Sequence, residues 1–167
     1  MKLFHGTSYK LGDTILKEGI IKIGQPAFDI VTDSNYVYLT NRITVAMNYG
    51  RKKAVFLDEE QFYLFEMELN KEQLLVDFDE VEIYKDGFSE QKAAIESLNG
   101  QYTVENTLSI LYSARVDFDI NLHNYNCKYA TFSVDDMDFD INEDIFQKNL
   151  NEQELLRIYN SITWHSI

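Results

Sequence analysis

The chain has 167 residues, of which 45% are hydrophobic and 14% aromatic, and this supply of core-forming side chains predicts one folded domain over residues 1–167. A formal net charge of −13 disfavours nucleic acid, whose phosphates such a surface repels, and favours a partner with a basic surface. The single cysteine, Cys127, excludes an internal disulfide and a cysteine-based zinc site. Since no secretory signal or long apolar run is evident, we expect a cytoplasmic protein that does not contact a membrane.

The chain begins with a short apolar strand that leads into His5-Gly6-Thr7-Ser8. Gly6 has no side chain to keep a ligand away from the backbone, and His5 offers two ring nitrogens for hydrogen bonds. A structural strand that happens to contain a histidine is the alternative interpretation. A helix is predicted to follow from Asp13, a capping residue, to Gly19, which can end it.

The remaining elements are predicted from β-forming runs, helical periodicity, capping residues and loop composition. In chain order they are an irregular loop at 22–35, a strand at 36–40, a helix at 42–49 closed by Gly50, a hairpin of 54–57 with 61–69, a helical turn at 74–76, an edge strand at 81–84, helices at 89–98 and 103–114, strands at 115–120 and 129–134, and a helix from 142 to 159. Helices and strands are mixed without strict alternation, which favours an α+β fold over a parallel doubly wound sheet.

Residues 136–142 carry alternating acidic side chains that invite a calcium interpretation. An EF-hand loop that began at Asp136 would need glycine at its sixth position and glutamate at its twelfth, where this chain has Ile141 and Gln147. We therefore expect a solvated acidic turn and no metal site. His123 and His165 are likewise expected to be solvated.

Four segments follow one another in an order that resembles ADP-ribosyltransferases of the diphtheria-toxin and poly(ADP-ribose) polymerase type. They are His5-Gly6-Thr7-Ser8, Glu18-Gly19-Ile20, Val37-Tyr38-Leu39-Thr40 and Ala46-Met47-Asn48-Tyr49-Gly50. The resemblance covers roughly residues 1–70 and is strongest to small bacterial and phage members, which include toxins and anti-CRISPR proteins. It implies a split central β-sheet with flanking helices and the use of NAD as a consumed substrate. No dinucleotide-binding glycine fingerprint is present, which agrees with such use.

The resemblance also implies roles for six residues of these segments. His5 would hydrogen-bond the 2′-hydroxyl of the nicotinamide ribose, and backbone groups of Gly6 would bind the nicotinamide amide. The other implied positions are Thr7 and Ser8 near the adenosine ribose, Tyr38 in the wall of the nicotinamide pocket, and Tyr49 stacked on the nicotinamide ring. Tyr36 lies on the same strand face as Tyr38 and could take its place. Arg42 and Arg51 could pair with the phosphates of NAD.

The catalytic carboxylate is the least determined part of the site. Cleavage of the nicotinamide–ribose bond builds positive charge on the ribose, which a carboxylate can stabilise. In the family this acid often begins the strand that matches 129–134, but here that position reads Asn126-Cys127-Lys128. We predict Glu105 instead, in the first turn of the helix at 103–114, although the helix dipole alone also favours an acid there. The other candidates are Glu90, Asp117 and Asp119.

The sequence thus favours a mono-ADP-ribosyltransferase that modifies a macromolecular target, with a protein of basic surface preferred, and that acts as a toxin or as a phage inhibitor of host defence. The alternative is a non-catalytic acidic protein that blocks the basic, nucleic-acid-binding surface of a partner. Removal of an RNA 2′-phosphate is less favoured, because such a site needs several arginines together. The four arginines are dispersed in sequence, at Arg42, Arg51, Arg115 and Arg157.

Overall fold

The computed structural model describes residues 1–24, 32–86, 90–135 and 150–167. The strands in these ranges are β1 (Lys2–Ser8), β2 (Ile20–Ile21), β3 (Val37–Thr40), β4 (Gln61–Glu68), β5 (Ser113–Val116), β6 (Ile120–Asn121), β7 (Lys128–Ser133) and β8 (His165–Ser166). The helices are α1 (Tyr9–Glu18), α2 (Ile43–Phe56), α3 (Phe78–Asp86), α4 (Glu90–Ser97), α5 (Val104–Ile110) and α6 (Glu152–Ser161). Within the described ranges, no helix has the length and apolar character needed to cross a membrane.

The fold is α+β, as predicted, and is built on an antiparallel sheet. Six described strands pair in the order β5-β3-β1-β4-β7-β8, while β2 and β6 form a separate two-stranded ladder. Because side chains alternate along a strand, β1 supplies both faces of the sheet. Leu3 packs on the side of α1, and Phe4 packs on the side of α2 and α6.

The sheet is paired unevenly on the two sides of β1. On one side β1 pairs with β4 along its whole length, from Lys2↔Glu68 to Ser8↔Phe62. On the other side, among the described residues, it shares a single register pair with β3, Phe4↔Thr40. The two strands therefore diverge after Phe4 and leave a cleft between the second half of β1 and the beginning of β3.

Helix α2 is longer than predicted. It was expected to end before Gly50 and to be followed by a strand at 54–57, but it continues to Phe56. Gly50 is a contact residue here and does not end the helix. A Cβ on Gly50 would lie 2.8 Å from the Phe62 ring and 3.1 Å from the Thr7 backbone nitrogen, so glycine allows the helix to approach the sheet closely.

Three other predicted elements are also corrected. Residues 81–84 belong to helix α3 and not to an edge strand. Val81 of this helix is fully buried in a third hydrophobic cluster, with Ile95 and Leu111. The first helix begins at Tyr9 and not at Asp13, although it does end at Gly19, whose φ of 69° is left-handed. The helix predicted at 103–114 ends at Ile110, and β5 follows.

The turn predicted at 74–76 is not helical, because Leu75 there forms a β-bridge with Arg115. The remaining predictions agree more closely with the structure. The strands predicted at 36–40, 61–69 and 129–134 correspond to β3, β4 and β7. The strand predicted at 115–120 is divided between β5 and β6, and the helix predicted at 89–98 is α4. In the C-terminal tail, α6 accounts for the helix from Glu152 onward. The acidic turn predicted at 136–142 and the earlier part of the tail helix lie outside the described residues.

Candidate active site

A pocket of about 390 Å³ occupies the cleft between β1 and β3. Residues of α1, α2 and α3 complete its walls, and its volume is in the range of small-molecule binding sites. His5, Gly6, Thr7, Tyr38 and Tyr49 all line it. The structure therefore brings together five of the six residues to which the resemblance assigned places around NAD.

Ser8 is the exception among these predicted residues. Its side chain is fully buried, it precedes the first turn of α1, and it does not contribute to the pocket wall. No hydrogen-bond partner for its hydroxyl is found among the described residues. Ser8, which was predicted to lie near the adenosine ribose, is therefore not part of the pocket wall.

His5 connects the two diverging strands. Its Nδ1 lies 3.0 Å from the carbonyl oxygen of Tyr38, and because a carbonyl can only accept, Nδ1 carries the ring proton. Burial lowers the pKa of His5 to about 4, an effect that the bond to Tyr38 opposes and the charge of Lys53 assists. The ring is therefore neutral near pH 7, and Nε2 is a hydrogen-bond acceptor suited to a ligand hydroxyl.

Gly6 lies where β1 and α2 are in closest contact. A Cβ there would come 1.8 Å from the Ala46 carbonyl oxygen and 2.9 Å from the Gly50 nitrogen. Glycine is thus required by packing, and it also leaves the backbone of the pocket wall without a side chain at this point.

Tyr38 reaches from β3 to the N-terminal part of α3. Its hydroxyl donates a hydrogen bond to Asp79, and burial together with this carboxylate raises the pKa of Tyr38 above its ordinary value. The Tyr38 hydroxyl bonds Oδ2 of this carboxylate, and Arg115 forms an ion pair with its other oxygen, with Nη1 3.3 Å from Oδ1. The guanidinium lies 3.8 Å from the centre of the Tyr36 ring, which also lines the pocket. Asp79 is therefore held in place by an arginine and a tyrosine.

Tyr49 and Glu80 form a second pair at the pocket wall. The Tyr49 hydroxyl donates to Glu80 Oε1 at 2.5 Å. Burial raises the pKa of Glu80 to about 7, with Asp77 and Asp79 adding to the increase and the bond from Tyr49 opposing it. A carboxyl group with such a pKa can exchange a proton near neutral pH, which general acid–base catalysis requires.

Asp77, Asp79 and Glu80 were not predicted from the sequence as site residues. Asp77 is buried, accepts a hydrogen bond from Ser113, and accepts another from the backbone nitrogen of Glu80 at 3.2 Å. Asp77 followed by Glu80 three residues later is the spacing of a capping box, and this signal could have placed a helix start here. The β-forming residues that follow led instead to a predicted strand.

Glu105 does not lie in the pocket, which corrects its predicted place in the site. It occupies the first turn of α5, as expected, but its side chain is 59% exposed and forms an ion pair with Lys71. That hydrogen-bonded lysine lowers the pKa of Glu105 below its ordinary value. Asp117 and Asp119 are exposed and are also absent from the pocket wall, and the side chain of Glu90 lies outside the described residues.

The predicted phosphate-binding arginines are also engaged elsewhere. Arg42 donates to the Leu150 carbonyl and stacks on Tyr112, and Arg51 donates to the Val134 carbonyl at 3.0 Å. Neither residue lines the pocket.

Two lysines supply positive charge to the pocket wall instead. They are Lys22, whose ammonium is 2.7 Å from a carboxylate oxygen of Glu18, and Lys53 on α2. His123 and His165 are both exposed, as expected.

In the described part of the chain, no group of three or more His, Cys, Asp or Glu side chains could hold a metal ion. The pocket combines a neutral histidine, aromatic rings and the differently held carboxyl groups of Asp79 and Glu80. A scan against protein-family models, a search of curated proteins and a search of solved structures found no match to this chain.

Proposed function

We propose that the protein cleaves NAD in the cleft between β1 and β3 and transfers ADP-ribose to a macromolecule, with a protein as the preferred acceptor. The observation that carries this proposal is the convergence of His5, Tyr38 and Tyr49 on one pocket with the carboxylates of Asp79 and Glu80. An antiparallel sheet that splits between β1 and β3 also agrees with the ADP-ribosyltransferase-like fold that the sequence resembles.

The charges around the pocket suit the nicotinamide riboside and the diphosphate of NAD. The nicotinamide ring of NAD is cationic, and the ribose becomes cationic as the bond to the ring breaks, so nearby carboxylates stabilise the transition state. Asp79, held by Arg115 and Tyr38, is suited to this electrostatic role. Lys22 and Lys53 are the described cations of the pocket wall that could neutralise the diphosphate.

Each side chain then has a role in the reaction. His5 accepts a hydrogen bond from a hydroxyl of the nicotinamide ribose through Nε2, and the aromatic rings of Tyr38 and Tyr49 contact the flat nicotinamide. The ribose–nicotinamide C–N bond breaks, and both its electrons leave with the ring nitrogen as neutral nicotinamide. A nucleophile of the acceptor donates its electron pair to the ribose carbon, and its proton passes to ionised Glu80.

Labelled NAD tests this function and the reassigned carboxylate together. The protein is incubated with NAD and a cell lysate, and released nicotinamide and labelled macromolecules are measured for wild type, His5→Ala and Glu80→Gln. General-base catalysis typically raises a reaction rate 10²–10⁴-fold. We therefore expect Glu80→Gln to lower the rates of nicotinamide release and of labelling by about 10²-fold or more. Glu105→Gln is the matched control, and because Glu105 is exposed and outside the pocket it should keep the wild-type rate.

Two results would count against the proposal. If wild type releases no nicotinamide, the enzymatic function is wrong and the acidic binding protein becomes the better interpretation. If Glu105→Gln loses activity while Glu80→Gln keeps it, the function stands but the carboxylate is misassigned.

A further inference from the structure

Asp77 is a buried carboxylate that joins the start of α3 to strand β5. Backbone hydrogen bonds between Leu75 and Arg115, at 2.8 and 3.1 Å, form an antiparallel bridge. Asp77 follows Leu75 by two residues and Ser113 precedes Arg115 by two, so the same register places Asp77 opposite Ser113. The Ser113 hydroxyl donates a hydrogen bond to Asp77 Oδ2. The position of Asp77 is therefore set by the sheet.

The other oxygen of Asp77 caps helix α3. Oδ1 accepts a hydrogen bond from the backbone nitrogen of Glu80 at 3.2 Å, and the Asp77 carbonyl accepts one from the Val81 nitrogen, also at 3.2 Å. Glu80 is thereby held in the first turn of α3, where its Oε1 lies 2.5 Å from the Tyr49 hydroxyl. Asp77 thus connects the sheet to the carboxyl group that serves as the base in the proposed reaction.

Helix capping alone does not require a buried charge at this position. Helices α5 and α6 are capped by Thr103 and Asn151, which are neutral and exposed. Asp77 is only 1% exposed and lines the pocket, and a buried carboxylate costs free energy unless it is paired. Burial raises the pKa of Asp77, and the hydrogen bonds from Ser113 and Glu80 oppose that rise. A buried acid beside Glu80 therefore calls for a second role, which is its effect on that carboxyl group.

We propose that Asp77 is a positioning residue, which holds Glu80 against Tyr49 and keeps a negative charge beside it. This inference rests on the proposed function, in which Glu80 accepts the proton of the nucleophile. A like charge disfavours ionisation, so the Asp77 carboxylate raises the pH at which Glu80 ionises and makes Glu80 a stronger base. The other titratable or charged groups of this region are Tyr49 and Lys53 on α2, Asp79 and Tyr84 on α3, and His5, Tyr38 and Arg115 on the sheet.

An NMR titration of Glu80 tests the inference without any measurement of activity. The side-chain carboxyl resonance of Glu80, identified by its loss in Glu80→Gln, is followed with pH in isotope-labelled protein. Because asparagine caps a helix as well as aspartate does, Asp77→Asn keeps the start of α3 and removes the charge. We expect the pKa of Glu80 to move from about 7 toward its ordinary value of 4.5. An unchanged pKa of Glu80 in Asp77→Asn would overturn the proposal.

Thr103→Ala is the matched control for this titration. It removes the side-chain cap of α5, a helix that does not contribute to the pocket wall. We expect this variant to lose stability and to leave the pKa of Glu80 unchanged. A shift as large as that of Asp77→Asn would show that the titration reports a general loss of stability, and the proposal would fail.

Nicotinamide release tests the positioning of Glu80. Asp77→Asn and Asp77→Ala both lack the charge, but alanine also lacks the cap, so the difference between their rates reports position. Since a displacement of about 1 Å can cost about 10²-fold in rate, we expect Asp77→Ala to be about tenfold slower than Asp77→Asn at pH 8. Equal rates in the two folded variants would overturn the proposal. If Asp77→Ala does not fold, the titration of Asp77→Asn decides.

The two measurements separate this inference from the proposed function. If Asp77→Asn lowers the pKa of Glu80 but wild type releases no nicotinamide, the proposed function fails and the control of Glu80 by Asp77 stands. If wild type releases nicotinamide and Asp77→Asn leaves the pKa of Glu80 unchanged, this inference alone fails.

Discussion

Glu80 is held in surroundings that favour its protonated form. It is half-buried, receives one hydrogen bond from Tyr49, and lies near the carboxylates of Asp77 and Asp79. Its pKa of about 7 lies above the ordinary value of 4.5, so the folded protein binds this proton more tightly than the unfolded chain does. Such a group makes stability decrease as pH rises between these two values.

Replacement of Glu80 by glutamine should therefore stabilise the protein at high pH. Glutamine is neutral and can still accept the Tyr49 hydrogen bond, so Glu80→Gln avoids the cost of ionising a carboxyl group in this half-buried position. Between pH 4.5 and about 7 that cost grows to at most about 3 kcal/mol. We expect Glu80→Gln to match wild type near pH 4.5 and to exceed it above pH 7, as measured by urea unfolding at a series of pH values.

Glu105→Gln provides the comparison for this measurement. The hydrogen bond with Lys71 lowers the pKa of Glu105. The ionised Glu105 carboxylate therefore stabilises the folded protein above the pKa that this group has in the unfolded chain, and this stabilisation is lost in acid. The pH dependence is opposite to that expected for Glu80. A stability gain at high pH in Glu105→Gln, or none in Glu80→Gln, would contradict the interpretation of the two carboxyls.

The same proton should control the rate of the proposed reaction. If Glu80 acts as a base it must be ionised, so kcat/KM for NAD should rise with pH up to about 7 and then level off. His5, with a pKa of about 4, should add no titration between pH 5 and 8. The pH profile of nicotinamide release checks this expectation. An activity that falls as pH rises through 7 would instead require protonated Glu80.

At the scale of elements, the position of α2 on β1 depends on two facing glycines. Because the Cβ of any other residue at position 6 would overlap the Ala46 carbonyl oxygen at 1.8 Å, the helix would have to move away from the strand. We expect Gly6→Ala to cost about 3 kcal/mol or more. In a chain of this size that corresponds to a loss of roughly 6–12 °C in Tm, measured by thermal denaturation.

Gly24→Ala is a suitable control for Gly6→Ala. Gly24 has a φ of 83°, but a Cβ there would meet nothing within 4 Å. Only the strain of a left-handed backbone is then added, at about 1–2 kcal/mol. If the two variants lose the same stability, close packing of α2 on β1 is not the reason that position 6 is glycine.

On the scale of the whole molecule, the C-terminal segment is joined to the start of the chain. The Tyr159 hydroxyl of α6 accepts hydrogen bonds from Lys128 of β7 at 2.6 Å and from Lys2 of β1 at 3.1 Å. Both ammonium groups also lie near Glu66, at 3.2 and 3.5 Å, and the Glu66 side chain is only 3% exposed. One buried carboxylate thus connects three strands and a helix.

Tyr159→Phe should destabilise the protein through this cluster. Hydrogen bonds to charged groups contribute about 1.5–3 kcal/mol. The lysines are 44% and 31% exposed, and water can replace the lost partner, so we expect a loss of about 1 kcal/mol in urea unfolding. Lys85→Met removes a surface pair with Glu82 and should cost less than Tyr159→Phe does. A loss in Tyr159→Phe no larger than in Lys85→Met would show that the cluster does not stabilise the fold.

The features that the sequence predicted well are local. The end of α1 at Gly19 and the start of α5 after Thr103 follow from a left-handed glycine and a capping hydroxyl, which depend on neighbouring residues alone. The strand β4 follows from alternation along its own length. These elements, with the order of helices and strands, were sufficient for the α+β class.

The candidate site was predictable only in part, since the order of His5, Tyr38 and Tyr49 in the chain anticipated their shared pocket. Glu80 and Glu105 could not be distinguished in this way, because each occupies the first turn of a helix. Tertiary packing places Glu80 against Tyr49 in the cleft and leaves Glu105 at the surface beside Lys71. Burial and long-range partners decide the chemistry of a carboxyl group, and neither is encoded in its immediate neighbours.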